Sequence, residues 1–240
     1  MDDGAQNEKN EAGIGRITCS CMARLQLAGG IAQAQDRETR YERIGPMEQY
    51  LMDLEAEIAM ARSAASSISA EAEVLVLGWK GYETAVKGKN GFVCIVKRSS
   101  MSSFDDPEAL NPDQRLPLCP NPPAARAHLP FALKATALAL SRMPKEQKIP
   151  LLKAAYENKD LPLPGQGSMG FMISKQQYFG GKYGNAHPPK MFWFHQADHI
   201  SWGAGLPGSP IHQNSPDPIT TFVLPVSQWS DGTSVPKETN

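Results

Sequence analysis

Four of the chain's five histidines fall in one stretch, "HPPKMFWFHQADHISWGAGLPGSPIH", residues 187–212. His195 and His199 are four apart, a spacing that puts two imidazoles on one helix face and holds zinc in the H-E-x-x-H pattern. Between them stand Gln196, Ala197 and Asp198, so the glutamate that would serve as base is missing from its place. His187, Asp198 and His212 would complete a His and carboxylate set only by loop folding. A site of His187, His195, Asp198 and His199 around zinc, with bound water as nucleophile, would make a metal-assisted hydrolase. The context argues against it: "KMFWFH" reads as a strand, and Pro207 and Pro210 follow soon after. Histidines at the surface explain the same letters with less machinery, so no cofactor is the expectation and zinc the alternative.

Other chemistries fit less well. Gly165, Gly167 and Gly170 match G-x-G-x-x-G by letter, but "LPLP" precedes and the strand-like "FMIS" follows. The phosphate loop instead needs a strand before and a helix after, so that phosphate meets the helix N-terminus. A turn or a close backbone crossing is the better use of these glycines. Ser168 and Ser209 have glycine neighbours, yet neither sits in G-x-S-x-G and no S-x-x-K occurs. Cys94 or Cys119 beside a histidine is formally a nucleophile pair, although nothing in the sequence lowers the thiol pKa. The aromatic cluster Phe192, Trp193, Phe194 and Trp202, with Met169, Met172 and Met191, is the last candidate. Trp193, Trp202 and Met191 would line an apolar ligand pocket; sheet core is the default reading of the same residues.

The composition narrows the classes. The chain has 240 residues, 41% of them hydrophobic, enough for one good-sized domain or two small ones. Lys plus Arg (24) nearly balances Asp plus Glu (25), without a basic block, so the footprint of a phosphate-backbone binder is missing and nucleic acid is not an expected partner. The longest apolar runs, such as Val74 to Leu77 and Phe92 to Val96, are strand-sized, far below the ~18 residues of a membrane-spanning helix. Cys19-x-Cys21 without a second pair is a poor zinc signal. Cys94 and Cys119 could form a disulfide in an oxidising compartment, or Cys94 could rest in "FVCIVK" as a small buried hydrophobe; the sequence leaves both open.

These residues need elements to position them. Met47, Leu51, Leu54, Ile58, Ala61 and Ala65 form one apolar stripe, predicting a helix over residues 46–66, with Glu48, Asp53, Glu55 and Glu57 near its positive end. "EVLVLG", "YETAV" and "FVCIVKR" read as three strands. The short links at Trp79–Gly81 and Gly88–Gly91 predict an antiparallel meander over 73–98. After a turn-rich loop over 99–123, two helices follow, over Ala124–Met143 with Pro130 as a kink and over Lys145–Asn158. "GSMGFMIS", "KMFWFH" and "ITTFVLPVSQW" return to strand composition. The expected fold class is α+β: a mainly antiparallel sheet with an N-terminal helix and a central helical pair. Residues 1–34 read as a disordered leader or a degenerate signal peptide, starting at Met22 with Ala32-Gln33-Ala34 as the small-x-small site. Residues 35–234 read as a single domain and 235–240 as a disordered tail.

"WGAGLPGSP", "TTFVLPVSQWSDGT", "YERIGPMEQYLMD" and "KGKNGFVCIVKR" together resemble a family of uncharacterised bacterial proteins that usually carry a signal peptide, over about Gln35 to Thr233. The resemblance implies export or a periplasmic location and attaches no activity. Relatives look like His-Pro-His, an apolar residue, then Met-Phe; this chain has His187-Pro188-Pro189-Lys190-Met191-Phe192, so only His187 carries over. The leading expectation is a soluble, exported domain that binds a small ligand beside Trp193 and Trp202. The alternatives are the metal-assisted hydrolase and a structural or protein-interaction domain.

Overall fold

A computed structural model of the chain describes residues 44–101, 108–180, 184, 187–195, 200–213 and 219–236. Contacts divide the chain between Asp36 and Arg37, and every described residue belongs to the second unit. The expected leader over 1–34 lies outside the described residues, as do Asp198 and His199.

Eight strands form one sheet. They are β1 (Glu73–Gly78), β2 (Gly81–Val86), β3 (Val93–Lys97), β4 (Leu116–Pro120), β5 (Met169–Phe171), β6 (Pro189–His195), β7 (Ile211–Gln213) and β8 (Ile219–Pro225). Their spatial order is β2-β1-β3-β4-β5-β6-β8-β7. Every neighbouring pair is antiparallel except β1 and β3, which run parallel. The class is therefore α+β with a mainly antiparallel sheet.

That parallel pair corrects the meander expected over 73–98. β2 pairs with β1 on the sheet's edge, and β3 lies on the other side of β1, not beside β2. The Gly88–Gly91 link does not turn back on β2 but passes around the start of β1. The Lys89 amide donates to the Glu71 carbonyl at 2.7 Å, and the Glu73 amide to the Phe92 carbonyl at 2.9 Å. Only glycine allows the crossing, since a Cβ on residue 88 would lie 2.1 Å from the Glu73 nitrogen. Burial follows the order: β1 and β3 are covered on both faces, whereas β2 is largely exposed.

The stripe over 46–66 breaks into a 3-10 turn at Met47–Gln49, α1 (Leu54–Arg62) and α2 (Ser66–Ser69). Asp53 starts α1 where it does, because its side chain accepts the Ala56 amide at 3.1 Å. Leu54 faces solvent, while Glu57 and Ala61 are buried. The charge is tolerated because Arg98, equally buried, meets Glu57 at 2.9 Å. The Leu77 amide donates to Glu57, and Arg98 donates to the Tyr50 and Val96 carbonyls, so the pair ties α1 to β1 and β3. Burial pushes the nearby Tyr82 hydroxyl well above the usual phenol range, and it donates to the Val96 carbonyl.

The central pair consists of α3 (Pro122–Leu140) and α4 (Lys145–Glu157). Asn121 caps α3 by accepting the Ala124 amide at 3.1 Å, and the same oxygen accepts the Met169 amide, which fixes β5 to the helix start. Pro130 lies inside α3, and the helix runs through it.

Strand register sorts the sheet's residues onto two faces. On one, α1 packs over Val74, Val76, Cys94, Val96 and Cys119, with Phe171 at the margin. On the other, α3 packs over Leu75, Ile95, Leu118 and Trp193, with Met191 and Ile219 at the margin. Cys94 and Cys119 are bonded to each other, their Cα atoms 4.1 Å apart across β3 and β4. Closing a loop of 25 residues is worth about 3 kcal/mol in the chain-entropy account.

Candidate functional site

The face that α1 covers continues past the disulfide onto strands that no described helix covers. Cys119 pairs with Phe171, Phe171 with Lys190, and Lys190 with Leu224, so these residues share one face. Phe192 pairs with Phe222 and Phe194 with Thr220 farther along it. Contacts of α1 reach β1, β3 and β4, but not β6 or β8 at any comparable level. What lies on this half of the face is loop: Trp202 sits edge-on to Phe194 at 6.4 Å and tilted on Phe222 at 6.1 Å. Large apolar groups remain open to solvent there, with Phe194 39%, Leu224 40% and Trp202 47% exposed.

At the near end of this face is a groove of about 540 Å³ lined by Ile173, Lys190 and the segment 225–229, which ends in Trp229. Its walls are held by main-chain bonds. The Val226 amide donates to the Pro188 carbonyl at 2.9 Å, the Trp229 amide to the Thr233 carbonyl at 2.9 Å, and the Ser230 amide to the Ile173 carbonyl at 2.7 Å. Ile173 is itself tied to the end of α1 through the Ala64 carbonyl. Asp231 closes the turn by accepting from the Thr233 amide and hydroxyl. An ion pair with Lys175 at 2.8 Å and these Thr233 bonds hold its carboxyl well below the usual range. The groove is thus preformed.

Lys190 is the charged residue in the lining, and its Nζ lies 5.8 Å from the centre of the Phe171 ring. It has no acidic partner among the described residues. Ser227 and Gln228 add polar side chains on the rim.

The residues singled out in the sequence are distributed differently. Trp202 is on the open face just described. Trp193 and Met191 point to the opposite face, where Trp193 is buried and stacked on His128, ring centres 4.9 Å apart and planes 16° from parallel. Gly170 makes room for that indole, because a Cβ there would fall 2.4 Å from Trp193 Cη2. Gly167, at φ +73°, serves the turn before β5. So the glycines of the G-x-G-x-x-G string do turn and close-approach work. A void of about 10 Å³ remains beside His128, Ser168 and Trp193, room for about one water and no ligand. Burial pushes the His128 imidazole down to about 3, with Lys97 adding to the effect. Its Nε2 is enclosed and has no hydrogen-bond partner among the described residues.

His187 precedes β6 and His195 ends it, so the length of the strand, six steps or roughly 20 Å at ~3.3 Å per residue, keeps them apart. Both are exposed. Asp198 and His199 lie outside the described residues, and of His212 only the backbone, in β7, is described. Among the described residues no group of three or more His, Cys, Asp or Glu side chains could hold a metal ion.

Lys190 and Trp229 are the site residues that the sequence reading missed. A signal existed for Lys190: in "KMFWFH" it alternates with Phe192 and Phe194, placing a cation on an otherwise apolar strand face. None existed for Trp229, which reaches the groove through a turn.

No family model, curated protein or solved structure matches the chain. No described helix is long and apolar enough to cross a membrane. The class of protein is thus set by architecture alone: an α+β domain in which, among the described residues, no helix covers one half of one sheet face, beside a groove held by main-chain bonds.

Proposed function

We propose that this chain is an exported binding domain, of the signal-peptide-bearing kind it resembles, whose ligand site is the groove of Lys190 and Trp229. The observation that carries the reading is a preformed groove of about 540 Å³ with a mixed lining, Ile173, Val226 and Trp229 beside Lys190, Ser227 and Gln228. Binding sites for small molecules have that size and set a few placed polar groups beside apolar ones. Export is supported by the Cys94–Cys119 bond, since structural disulfides persist in oxidising compartments. Of the three residues named from the sequence, Trp202 extends the site, and Trp193 and Met191 support the strand from behind.

Thermal-shift screening of the purified protein against small amphipathic molecules tests the reading. A ligand present at a hundred times its Kd adds about 2.7 kcal/mol, which for a domain of this size raises Tm by roughly 5–10 °C. Trp229→Ala is expected to abolish the rise. A screen in which no compound shifts Tm, or in which Trp229→Ala responds as the parent does, removes the groove as a ligand site.

A further inference from the structure

Resting on the groove being a ligand site, we infer that its ligand is a long-chain monocarboxylate, the carboxylate at Lys190 and the chain laid along the open sheet face. Charge comes first. The groove lining holds one cation and no acid, so it balances one negative charge and no more. A phosphate dianion would call for a second cation or a fork of donors, as arginine supplies, and no arginine lines the groove. The main-chain amides of Val226 and Trp229 are already spent on the walls, which leaves the Lys190 ammonium with the side chains and main-chain amides of Ser227 and Gln228 as donors. That set suits a carboxylate.

The second observation is the direction of the apolar surface. From Lys190 the face continues through Leu224, Phe222 and Phe194 to Trp202. Four steps of strand lead from Lys190 to Phe194, about 13 Å, and Trp202 sits against Phe194 and Phe222 at that end. A chain that followed this strip would cover the exposed apolar groups that no described helix covers. The described residues of the strip carry no charge apart from Lys190 at its end, so it offers nothing to a second polar head. A compact ligand that filled the groove alone would leave the strip bare.

Titration of intrinsic tryptophan fluorescence with octanoate, decanoate and dodecanoate, each below its micelle concentration, reads both halves of the inference. Decanol serves as the uncharged control. Affinity is expected to rise about threefold per added methylene and to be at least about tenfold higher for decanoate than for decanol. Lys190→Gln is expected to remove the tenfold preference and keep the chain-length dependence; Trp202→Ala is expected to weaken the dependence and keep the preference. Both sites are on the surface, and circular dichroism checks that the variants fold. Equal affinity for acid and alcohol, a preference that survives Lys190→Gln, or no dependence on chain length each overturn the inference while leaving the groove a ligand site. No saturable binding of the acids or decanol, in a protein that also fails the wider screen, overturns both. A dimer in sedimentation that Trp202→Ala dissociates and decanoate does not would assign the strip to a second copy and overturn the inference as well.

Discussion

Lowering the pH from 7.5 to 5.0 is expected to destabilise this protein through His128, and the magnitude follows from its surroundings. The imidazole is stacked on Trp193 with Nε2 enclosed and unpartnered, and burial pushes it down to about 3. An unfolded histidine titrates near ~6.5. The folded state therefore binds fewer protons than the unfolded state between these values. Stability from this group is intact above about 6.5, declines as the pH falls, and levels off below about 3. From pH 7.5 to 5.0 the linkage relation gives a loss of about 2 kcal/mol. That is an upper figure, because the ring as a whole is only half-buried although Nε2 is enclosed. Urea unfolding at both pH values, on the parent and on His128→Phe, isolates the effect. The variant keeps an aromatic ring against Trp193 and has nothing to protonate, so its loss between the two pH values should be smaller by up to about 2 kcal/mol. Equal losses in the two proteins would refute the reasoning, whatever the absolute stability of the variant.

Other substitutions test the framework behind the site. Arg98→Met leaves Glu57 buried and unpaired and should cost about 3–5 kcal/mol in chemical unfolding; Glu57→Leu with Arg98→Met should recover most of that. Cys94→Ala with Cys119→Ala should lower stability by about 3 kcal/mol, and non-reducing against reducing mass analysis of the parent should show a two-proton difference. Gly170→Ala puts a methyl group into the Trp193 indole and should cost about 1–3 kcal/mol, with a change in near-ultraviolet circular dichroism. Elemental analysis should find zinc far below one equivalent; a full equivalent that disappears in His195→Ala with His199→Ala would instead revive the metal-assisted hydrolase.

Much of this architecture is legible in the sequence where local pattern decides. The two central helices fall close to their expected ranges because Asn121 caps the first and apolar spacing continues through both. The strands are legible as strands. Their neighbours are not: "GKNG" reads as a hairpin turn, and nothing local tells that Gly88 slips past Glu73 to set β3 parallel to β1. Glu57 reads as a charge suited to a helix start, whereas its place is decided by Arg98, 41 positions away in the chain. The candidate site shows the same division. Alternation places Trp193 and Met191 on one strand face and Lys190 and Phe194 on the other, but which face a helix would cover depends on where α1 ends, a property of the whole sheet.

The open half-face and the rigid groove belong together physically. α1 and α3 cover opposite faces of the sheet's first half, and the disulfide fastens two of its central strands. Beyond β5 the face that α1 covers is bordered by the turn over 225–235, which is bonded to Pro188, to Ile173 and, through the Ser66 hydroxyl, to the start of α2. A ligand that docks there meets strands and a turn already in position, so little ordering cost opposes binding. A helix in the same place would bury the aromatic strip permanently and close the groove. On the proposed reading, the exposure of Phe194, Leu224 and Trp202 is the cost of an accessible binding face, offset by the buried ion pair, the disulfide and the two packed layers of the other half.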